Sequence, residues 1–349
     1  MKTYNENKTL LALTLLAMLF AGLMYYYGLQ KKDYRETDRN ISAISLKLEK
    51  IYSNLPANRR YYSLNYCNGK IYIIGIDINP SGANQSIDEL DSTGVYLKSF
   101  ANNGNAKRQF EVDAYGIYNS EDNYGDRTSF IFERNYSDSI LYSYQSDKQI
   151  LENLRIGKHE YILKIGGPNR MIYSFIDDYN IVNIKTGVVK NIEVKLKDSA
   201  SYYQRYGFFV KGNNGINYKI AREAGMFFAF NDSGRILYQA ETVDKSPPLE
   251  FVKTPDGGIR RAPNSYGLAN MSGIVLRNYL LILEVNRANG NADPIIDVYD
   301  QVTGKYKSSW IVPKAKDEKV YEIQSINDHQ LILLYETTIG YLTIPESLL

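Results

Sequence analysis

The stretch Phe230-Asn-Asp-Ser-Gly234-Arg-Ile-Leu-Tyr decides the fold of this chain. An apolar segment that ends in Asn or Asp, a glycine and a second strand-forming segment are the pattern of two β-strands joined by a tight turn. Related copies recur along the sequence, at Leu90–Leu97 with Gly94, at Ile181–Val189 with Gly187 and at Ile296–Tyr306 with Gly304. The pattern predicts a chain built from repeated β-hairpins.

The spacing of the four glycines gives the size of the repeat. Their separations are 93, 47 and 70 residues. The first interval is twice a period of about 47 residues, with Tyr144–Lys148 as a degenerate copy in the gap, and the last is one period plus the proline-bearing stretch Ser246–Ala269. A period of about 40–50 residues with four strands per unit is typical of a β-propeller blade.

Residues 57–349 therefore predict an all-β, six-bladed β-propeller, because their length is about six periods. The last copy, Val320–Ser347, is one strand short of a full blade. We expect Arg60–Tyr66 to supply that strand and to close the ring.

The C-terminal copies resemble a known group of propellers. Phe228–Pro248 and Asp297–Pro313 are similar to blades of the six-bladed NHL- or TolB-like propellers of bacterial cell envelopes. The similarity extends over about residues 130–345 and consists of turn and strand patterns without an invariant functional residue. It implies an exported, often membrane-attached protein, and it assigns no site residue.

The N-terminal part of the chain predicts a membrane anchor. Residues 9–30 carry no charge, and a helix of this length at about 1.5 Å per residue crosses a hydrocarbon core of about 30 Å. A cleaved signal peptide has a shorter apolar core and ends in two small residues at an A-x-A-like spacing, whereas here the small residues Ala21 and Gly22 are adjacent. We therefore predict an uncleaved transmembrane helix at 9–30 with the lipid bilayer as its partner. The heptad-like spacing from Ile41 to Leu55 predicts a helical stalk or linker at 31–56.

The charges beside the anchor and the family resemblance predict opposite orientations. Two cationic side chains precede the apolar stretch and four follow it: Lys2 and Lys8, then Lys31, Lys32, Arg35 and Arg39. By the positive-inside rule this count places the body in the cytoplasm. Because the similar envelope propellers are mostly exported, we predict instead a single-pass inner-membrane protein with its propeller on the periplasmic or extracellular side.

The composition restricts the partners. The chain has 41 basic and 39 acidic residues, a balance that supplies no electrostatic field for nucleic acid. Its one cysteine, Cys67, excludes an internal disulfide and a cysteine-based zinc site. Thirty-two tyrosines favour strands with one wet face, and they leave open an aromatic surface that binds a glycan or a peptide.

Side chains suited to catalysis or metal binding are sparse. His159 and His329 are the only histidines; both are predicted in surface turns, without the G-x-S-x-G elbow of a serine nucleophile. Two histidines also exclude a three-histidine metal centre. The stretch from Asn119 to Phe130 differs from a calcium loop, because Gly125 comes one position late and Phe130 replaces the bidentate acid. We expect the adjacent carboxylates to point into solvent and not at one substrate: Asp88/Asp91, Glu121/Asp122 and Asp177/Asp178. No catalytic, cofactor-binding or metal-binding residue is assigned from the sequence.

Two classes of function remain open at this stage. The first is a membrane-anchored binding or scaffold module for a protein, peptide or glycan at the cell envelope, which the sparse histidines favour. The second is a propeller enzyme, a lyase or hydrolase, with its site in the central channel. Ionisable residues clustered on the inner strands would support the enzyme. The insertion Ser246–Ala269, which contains Arg260 and Arg261, is the predicted place for a ligand, because insertions between blades map to one face.

Overall fold

The computed structural model describes sixteen segments of the chain. They are residues 16–22, 39–42, 46–52, 55–56, 59–77, 85–102, 109–123, 128–135, 139–166, 178–192, 207–244, 251–253, 259–261, 270–284, 294–315 and 318–349. Residues 16–22 are helical. Within these segments no helix is long and apolar enough to cross a bilayer, and the rest of the predicted anchor at 9–30 lies outside them.

The body is a six-bladed β-propeller, as the glycine repeat predicts. Each blade is an antiparallel sheet of four strands. The first strand in the chain, β1 (Leu48–Tyr52), belongs to the sixth blade. The first blade consists of β2 (Arg59–Cys67), β3 (Lys70–Asp77), β4 (Gln85–Asp91) and β5 (Tyr96–Asn102), and the second of β6 (Gln109–Asp113), β7 (Gly116–Asn123), β8 (Thr128–Arg134) and β9 (Ile140–Ser146). The third blade consists of β10 (Ile150–Gly157), β11 (Glu160–Ile165), β12 (Asp178–Asn183) and β13 (Val188–Ile192), and the fourth of β14 (Gly207–Val210), β15 (Ile216–Ala221), β16 (Met226–Asn231) and β17 (Ile236–Glu241). The fifth blade consists of β20 (Asn270–Leu276), β21 (Tyr279–Glu284), β22 (Ile295–Asp300) and β23 (Tyr306–Ile311).

The sixth blade combines the two ends of the chain. Its strands are β24 (Val320–Asn327), β25 (Gln330–Tyr335), β26 (Ile339–Thr343) and β1, and a short 3-10 helix, Glu346–Leu348, follows β26. The insertion between the fourth and fifth blades forms a separate two-stranded hairpin, β18 (Phe251–Lys253) and β19 (Ile259–Arg261).

In each blade the first strand, called the inner strand, lies at the channel, and the fourth, called the outer strand, lies at the outside of the ring. The first and second strands, and the third and fourth, are joined on one side of the ring, which we call the hairpin face. The connections between second and third strands, and those between blades, lie on the opposite face. The β18–β19 hairpin therefore leaves the ring on the face opposite the hairpins.

The repeated glycines lie in the turns that join third and fourth strands. In the first blade, the Asp91 carboxylate accepts hydrogen bonds from the backbone N–H groups of Thr93 (2.8 Å) and Val95 (2.9 Å). Asp300 makes the equivalent bond to Thr303 (2.9 Å) in the fifth blade. In these two turns the chain reverses through a residue with positive φ, a conformation that glycine adopts without strain: Gly94 and Gly304 have φ of 87° and 69°.

These glycines also set the distance between neighbouring blades. A Cβ atom at Gly234 would lie 2.3 Å from Cδ1 of Ile192, on the outer strand of the preceding blade. At Gly304 it would lie 2.5 Å from Cε2 of Tyr238, again on the preceding outer strand. Glycine is therefore required at these positions for two reasons, the turn conformation and the close contact between blades.

The second blade departs from the predicted repeat. Its outer turn begins at Asn135, whose side chain accepts the N–H of Ser139 at 2.9 Å, and it contains no glycine. The predicted copy at Tyr144–Lys148 is instead the end of strand β9. Because an Asx turn can form without glycine, the glycine pattern does not locate the outer turn of this blade and places the predicted copy several residues too late in the sequence.

The ring is closed by a different segment from the one predicted. Leu48–Tyr52 pairs with β26 as the outer strand of the sixth blade, whereas the stretch Arg60–Tyr66 lies in the inner strand β2 of the first blade. The helix predicted at 31–56 is therefore wrong for residues 48–52. Their apolar residues have a helical spacing, but the unpaired edge of β26 offers backbone hydrogen bonds that override this local pattern.

The segment before β1 is also fixed to the ring. Ile41 forms a parallel bridge to Ser309 of β23, and Arg39 contacts the buried carboxylates of Glu284 and Asp297, with 3.1 Å between Arg39 Nη2 and Asp297 Oδ2. Leu46 packs in the core cluster that contains Trp310. Residues 39–52 therefore hold the fifth and sixth blades together.

Replacing Gly234 or Gly304 by alanine is expected to destabilise the ring more than replacing Gly187. All three glycines have positive φ, which costs an L-residue roughly 1–2 kcal/mol. A Cβ at Gly187 meets nothing within 4 Å, whereas at the other two positions it overpacks the preceding blade, which adds roughly 1–3 kcal/mol. Equilibrium unfolding in denaturant measures the three losses. Equal losses would show that the glycines serve the turn alone.

Candidate functional site

The first strand of each blade lines the channel and leaves one sheet edge unpaired. Four of these strands carry a β-bulge at the same place. The extra residues are Tyr62, Leu151, Met271 and Tyr321, and each is followed by the fifth paired residue counted from the hairpin: Ser63, Glu152, Ser272 and Glu322. Bulges bend a strand and re-aim its side chains, so this position is where the inner strands turn side chains toward their neighbours.

Side chains at the fifth position bind backbone amides of the next blade. Three such bonds are made: from the N–H of Leu64 to Glu322 Oε2 (2.6 Å), of Ile323 to the Ser272 hydroxyl (3.3 Å) and of Gly207 to Glu152 Oε1 (3.2 Å). A buried N–H without an acceptor is costly. These side chains therefore satisfy the edges that the sheets leave open at the channel.

Glu152 and Glu322 occupy the same position in different electrostatic surroundings. Glu152 contacts the ammonium groups of two buried lysines, Lys219 and, at 3.5 Å, Lys164. Glu322 forms no ion pair within the described residues. Burial raises the pKa of Glu322 well above its ordinary value, and the negative charge of Glu111 adds to this effect. These surroundings therefore favour the protonated form of Glu322, whereas the lysines beside Glu152 favour a charged partner.

Glu111 is a second carboxyl, close to Glu322. It lies on β6, the inner strand of the second blade, and burial together with the nearby Asp113 raises its pKa to about 7. Glu322 lies on β24 of the sixth blade, and β2 of the first blade contacts both β24 and β6. Three consecutive inner strands thus bring together two carboxyls that are distant in sequence.

Tyr62 is the accessible aromatic ring of the group. It is the bulged residue of β2 and is 37% exposed, whereas Tyr61 beside it is buried and donates its hydroxyl to Asp88 (2.8 Å). Burial of the Tyr62 hydroxyl raises its pKa, and the charges of Glu111 and Glu322 raise it further, which shows that all three groups are near one another. We call Tyr62, Glu111 and Glu322 the channel cluster.

Two polar side chains border the channel cluster. Asn65 lies near Glu111 and opposes the rise of its pKa, while its buried amide nitrogen forms no regular hydrogen bond within the described part of the chain. Arg222 is near enough to Glu322 to oppose the rise of its pKa, and its guanidinium lies 5.5 Å from the ring of Phe208. The cluster therefore combines hydrogen-bond donors, acceptors and one aromatic face.

A second set of ionisable residues holds the second and third blades together. Arg155 is buried and contacts Glu133 and, at 2.8 Å, Asp113. His159 lies in a turn, as predicted, but its Nδ1 is 2.8 Å from the buried Glu133, and Tyr161 donates to the same carboxylate at 2.9 Å. Every charge in this set has a partner, so the arrangement is that of a structural ion-pair network.

The other sequence candidates lie apart from the channel. His329 is in a turn beside Arg277 and Glu346. Asp88, predicted to be in solvent, is buried and binds Arg59 and Tyr61, because its strand β4 is interior to the sheet. Asn119 is buried in strand β7, and its amide oxygen accepts a hydrogen bond from Arg134 (2.7 Å). The side chains of Glu121, Asp122 and Asp178, and residue Asp177, lie outside the described residues, as do the side chains of Arg260 and Arg261.

An apolar crevice lies between the third and fourth blades, away from the channel cluster. It is lined by aliphatic and aromatic side chains: Ile162, Tyr179, Ile192, Phe209, Phe228, Phe230 and Ile236, with Gly234. The crevice holds no charged group, so it offers packing space and not chemistry.

Comparisons with known proteins support the fold. No protein-family model matches the chain, and no curated protein is similar to it in sequence. Among solved structures, selenomethionine-substituted virginiamycin B lyase from Staphylococcus aureus has a TM-score of 0.50 and 13% identity, and the match covers 86% of this chain and 100% of the lyase. A catalytically inactive variant of that lyase with quinupristin has a TM-score of 0.48, 14% identity and coverage of 85% and 99%. Hsv2 from Kluyvelomyces marxianus has a TM-score of 0.41, 7% identity and coverage of 80% and 90%. At these identities the likeness is one of fold alone.

The two variants Glu322→Gln and Glu322→Ala are expected to separate the structural role of this side chain from its protonation. Glutamine still accepts the Leu64 N–H, whereas alanine leaves that amide without an acceptor and costs about 1–3 kcal/mol. Because the pKa of Glu322 is raised in the folded state, the native protein binds more protons than the unfolded one above the unfolded pKa, and its stability falls as pH rises from about 4. Glu322→Gln removes that loss and becomes more stable than the native chain at pH 8. Urea unfolding between pH 4 and 8 measures both effects, with Glu336→Gln at an exposed site as control. The same pH slope in native and Glu322→Gln chains would contradict the assignment.

Proposed function

We propose that this protein is a membrane-anchored propeller of the cell envelope that binds a peptide or a glycan at the channel cluster. The observation that carries the proposal is the meeting of Glu111, Glu322 and Tyr62 on three inner strands. Carboxyls with raised pKa values cluster at functional sites, and Glu111 and Glu322 are half-buried, so part of each side chain is accessible. In the third blade the same strand position carries a carboxylate that is neutralised by lysines, so the fold itself does not require an uncharged acid there.

The chemistry of the cluster fits an uncharged polar ligand. A protonated carboxyl donates through its O–H and accepts through its carbonyl oxygen, so it pairs with hydroxyl or amide groups. The ring of Tyr62 provides a flat apolar face with a polar tip. A sugar or a peptide backbone offers both kinds of contact, whereas a strongly anionic ligand would be repelled once Glu111 ionises.

A second candidate function is acid–base catalysis in the channel by a lyase or hydrolase. The observation that favours it is the pKa of Glu111, about 7, because a group that titrates near the working pH both takes up and releases protons. Glu111→Gln distinguishes the two functions, since glutamine keeps the hydrogen bonds of a protonated acid but cannot transfer a proton. Ligand turnover that is lost in Glu111→Gln while binding persists would identify an enzyme.

Binding is expected to depend on the ring of Tyr62 and on pH. Tyr62→Ala should weaken binding roughly tenfold, which corresponds to about 1.4 kcal/mol, whereas Tyr62→Phe keeps the ring and serves as the matched control. Affinity should decrease as pH rises above 7, because Glu111 loses its donor proton. Calorimetric titration with neutral oligosaccharides and uncharged peptides measures both. Unchanged affinity in Tyr62→Ala would place the ligand elsewhere, with the β18–β19 hairpin as the next site to test.

We further propose that residues 9–30 anchor the chain and that the propeller is exported. Support comes from the apolar length of this stretch and from the resemblance to envelope propellers. A reporter fused after Leu349 that is active only outside the cytoplasm should be active, and a reporter that requires the cytoplasm should be inactive at the same position. The reverse result would show that Lys31, Lys32 and Arg35 retain the body inside the cell.

A further inference from the structure

The outer turns of the hairpin face expose aliphatic side chains in five of the six blades. These residues are between 44% and 68% exposed: Val95 and Leu97 in the first blade, Ile140 and Leu141 in the second, Val188 and Val189 in the third, Leu237 in the fourth and Val302 in the fifth. Each lies in, or within three residues of, the turn between third and fourth strands. Exposed edge strands usually carry charged side chains, because an apolar edge promotes association with other molecules. A repeated aliphatic fringe on one face is therefore a candidate docking surface.

We propose that this hairpin face rests on a lipid bilayer, with its aliphatic fringe in the interfacial region. The inference rests on the membrane anchor of the proposed function and adds which side of the ring meets the lipid. The proposal requires that the anchored chain approach the ring from the hairpin face and that the face tolerate anionic headgroups.

The chain path meets the first requirement. Ile41 pairs with Ser309 in parallel, and the backbone N–H of Asn40 donates to the hydroxyl of Tyr306 (2.9 Å). Because β23 begins at the hairpin face, the chain that is followed backward from Ile41 leads toward that face. Residues 31–38 reach at most about 29 Å when fully extended, so an anchor that ends at residue 30 keeps the hairpin face close to the membrane.

The charges of the outer hairpins meet the second requirement. Six cations lie in these hairpins or at the start of the following strands: Lys98, Lys185, Lys190, Arg235, Lys305 and Lys307. The acids of the same stretches are Asp91, Asp138, Asp232 and Asp300. The carboxylates of Asp91 and Asp300 accept backbone and threonine hydrogen bonds within their own turns. Two of the cations have acidic partners in their own blade, since Lys98 lies 3.6 Å from Glu89 and Lys307 lies 4.0 Å from Asp300. Exposed lysines between aliphatic side chains are suited to an anionic lipid surface.

Two matched positions allow a direct test in the full-length chain. Val189 and Ile311 are both aliphatic, both on outer strands and both 44% exposed, but Val189 lies at the hairpin face and Ile311 at the opposite end of its strand. Single variants Val189→Cys and Ile311→Cys are labelled with an environment-sensitive fluorophore. The native chain is the blank, since Cys67 is buried and burial raises the pKa of its thiol to about 11.

The labelled chains are reconstituted into vesicles of equimolar phosphatidylglycerol and phosphatidylcholine, with or without brominated acyl chains that quench the fluorophore. We expect the label at Val189→Cys to lose more than half of its fluorescence on brominated lipid and the label at Ile311→Cys to lose almost none. Adding Leu141→Asp on the neighbouring blade should restore much of the fluorescence at Val189→Cys.

Flotation of the vesicles separates this inference from the proposed anchor. Chains that float with the vesicles while both labels stay unquenched, or are quenched equally, would overturn the docking of the hairpin face and leave the anchor intact. Chains that do not float would overturn both. A label at Val189→Cys that becomes shielded without quenching, together with a disulfide-linked dimer of unlabelled Val189→Cys, would assign the face to a second copy of the chain and also overturn the inference.

Discussion

The unpaired inner edge of each sheet is the constraint on which the propeller depends. A radial blade leaves backbone N–H groups open at the channel, and a buried N–H without an acceptor is destabilising. Side chains at one repeated strand position satisfy these groups, with Glu152, Ser272 and Glu322 each reaching an amide of the next blade. A bulge immediately before that position turns the side chain out of its own sheet. Blade-to-blade contact at the channel is therefore polar, whereas the clusters farther out are apolar.

The same constraint gives the channel its chemistry. Where a carboxyl at the repeated position has buried lysines beside it, as Glu152 has, the result is a neutralised structural pair. Where the neighbours are another carboxyl and a tyrosine, as for Glu322, removal from water favours the protonated form. A structural device present in several blades thus becomes a candidate site in one of them. The deciding factor is which groups the adjacent blades place nearby.

The N-terminal segment, described at residues 39–42 and 46–52, contacts the fifth and sixth blades. Arg39 reaches the carboxylates of Glu284 and Asp297, and burial raises the pKa of Glu284 well above its usual value, so the guanidinium compensates charge that would otherwise be costly. A few residues later β1 completes the sixth blade. The N-terminal segment therefore both compensates buried charge in the fifth blade and completes the sixth blade.

The sequence by itself determined the features that short-range interactions control. A glycine after an Asx residue identifies a tight turn, so the spacing of Gly94, Gly187, Gly234 and Gly304 gave the period and the number of blades, although not the outer turn of the second blade, which has no glycine. Only the tertiary structure decided which segment closes the ring, since a free edge of β26 accepts any strand of suitable length and residues 48–52 carry a helical spacing. It also decided the candidate site. Glu111 and Glu322 are far apart in the chain, and the pKa of each depends on burial and on charges from other blades, which no local pattern encodes. The one available signal was the likeness of Ile150-Leu-Glu152 and Val320-Tyr-Glu322 at the same point of two inner strands. It shows a shared position, but the raised pKa of Glu322 comes from burial and from neighbours that only the closed ring supplies.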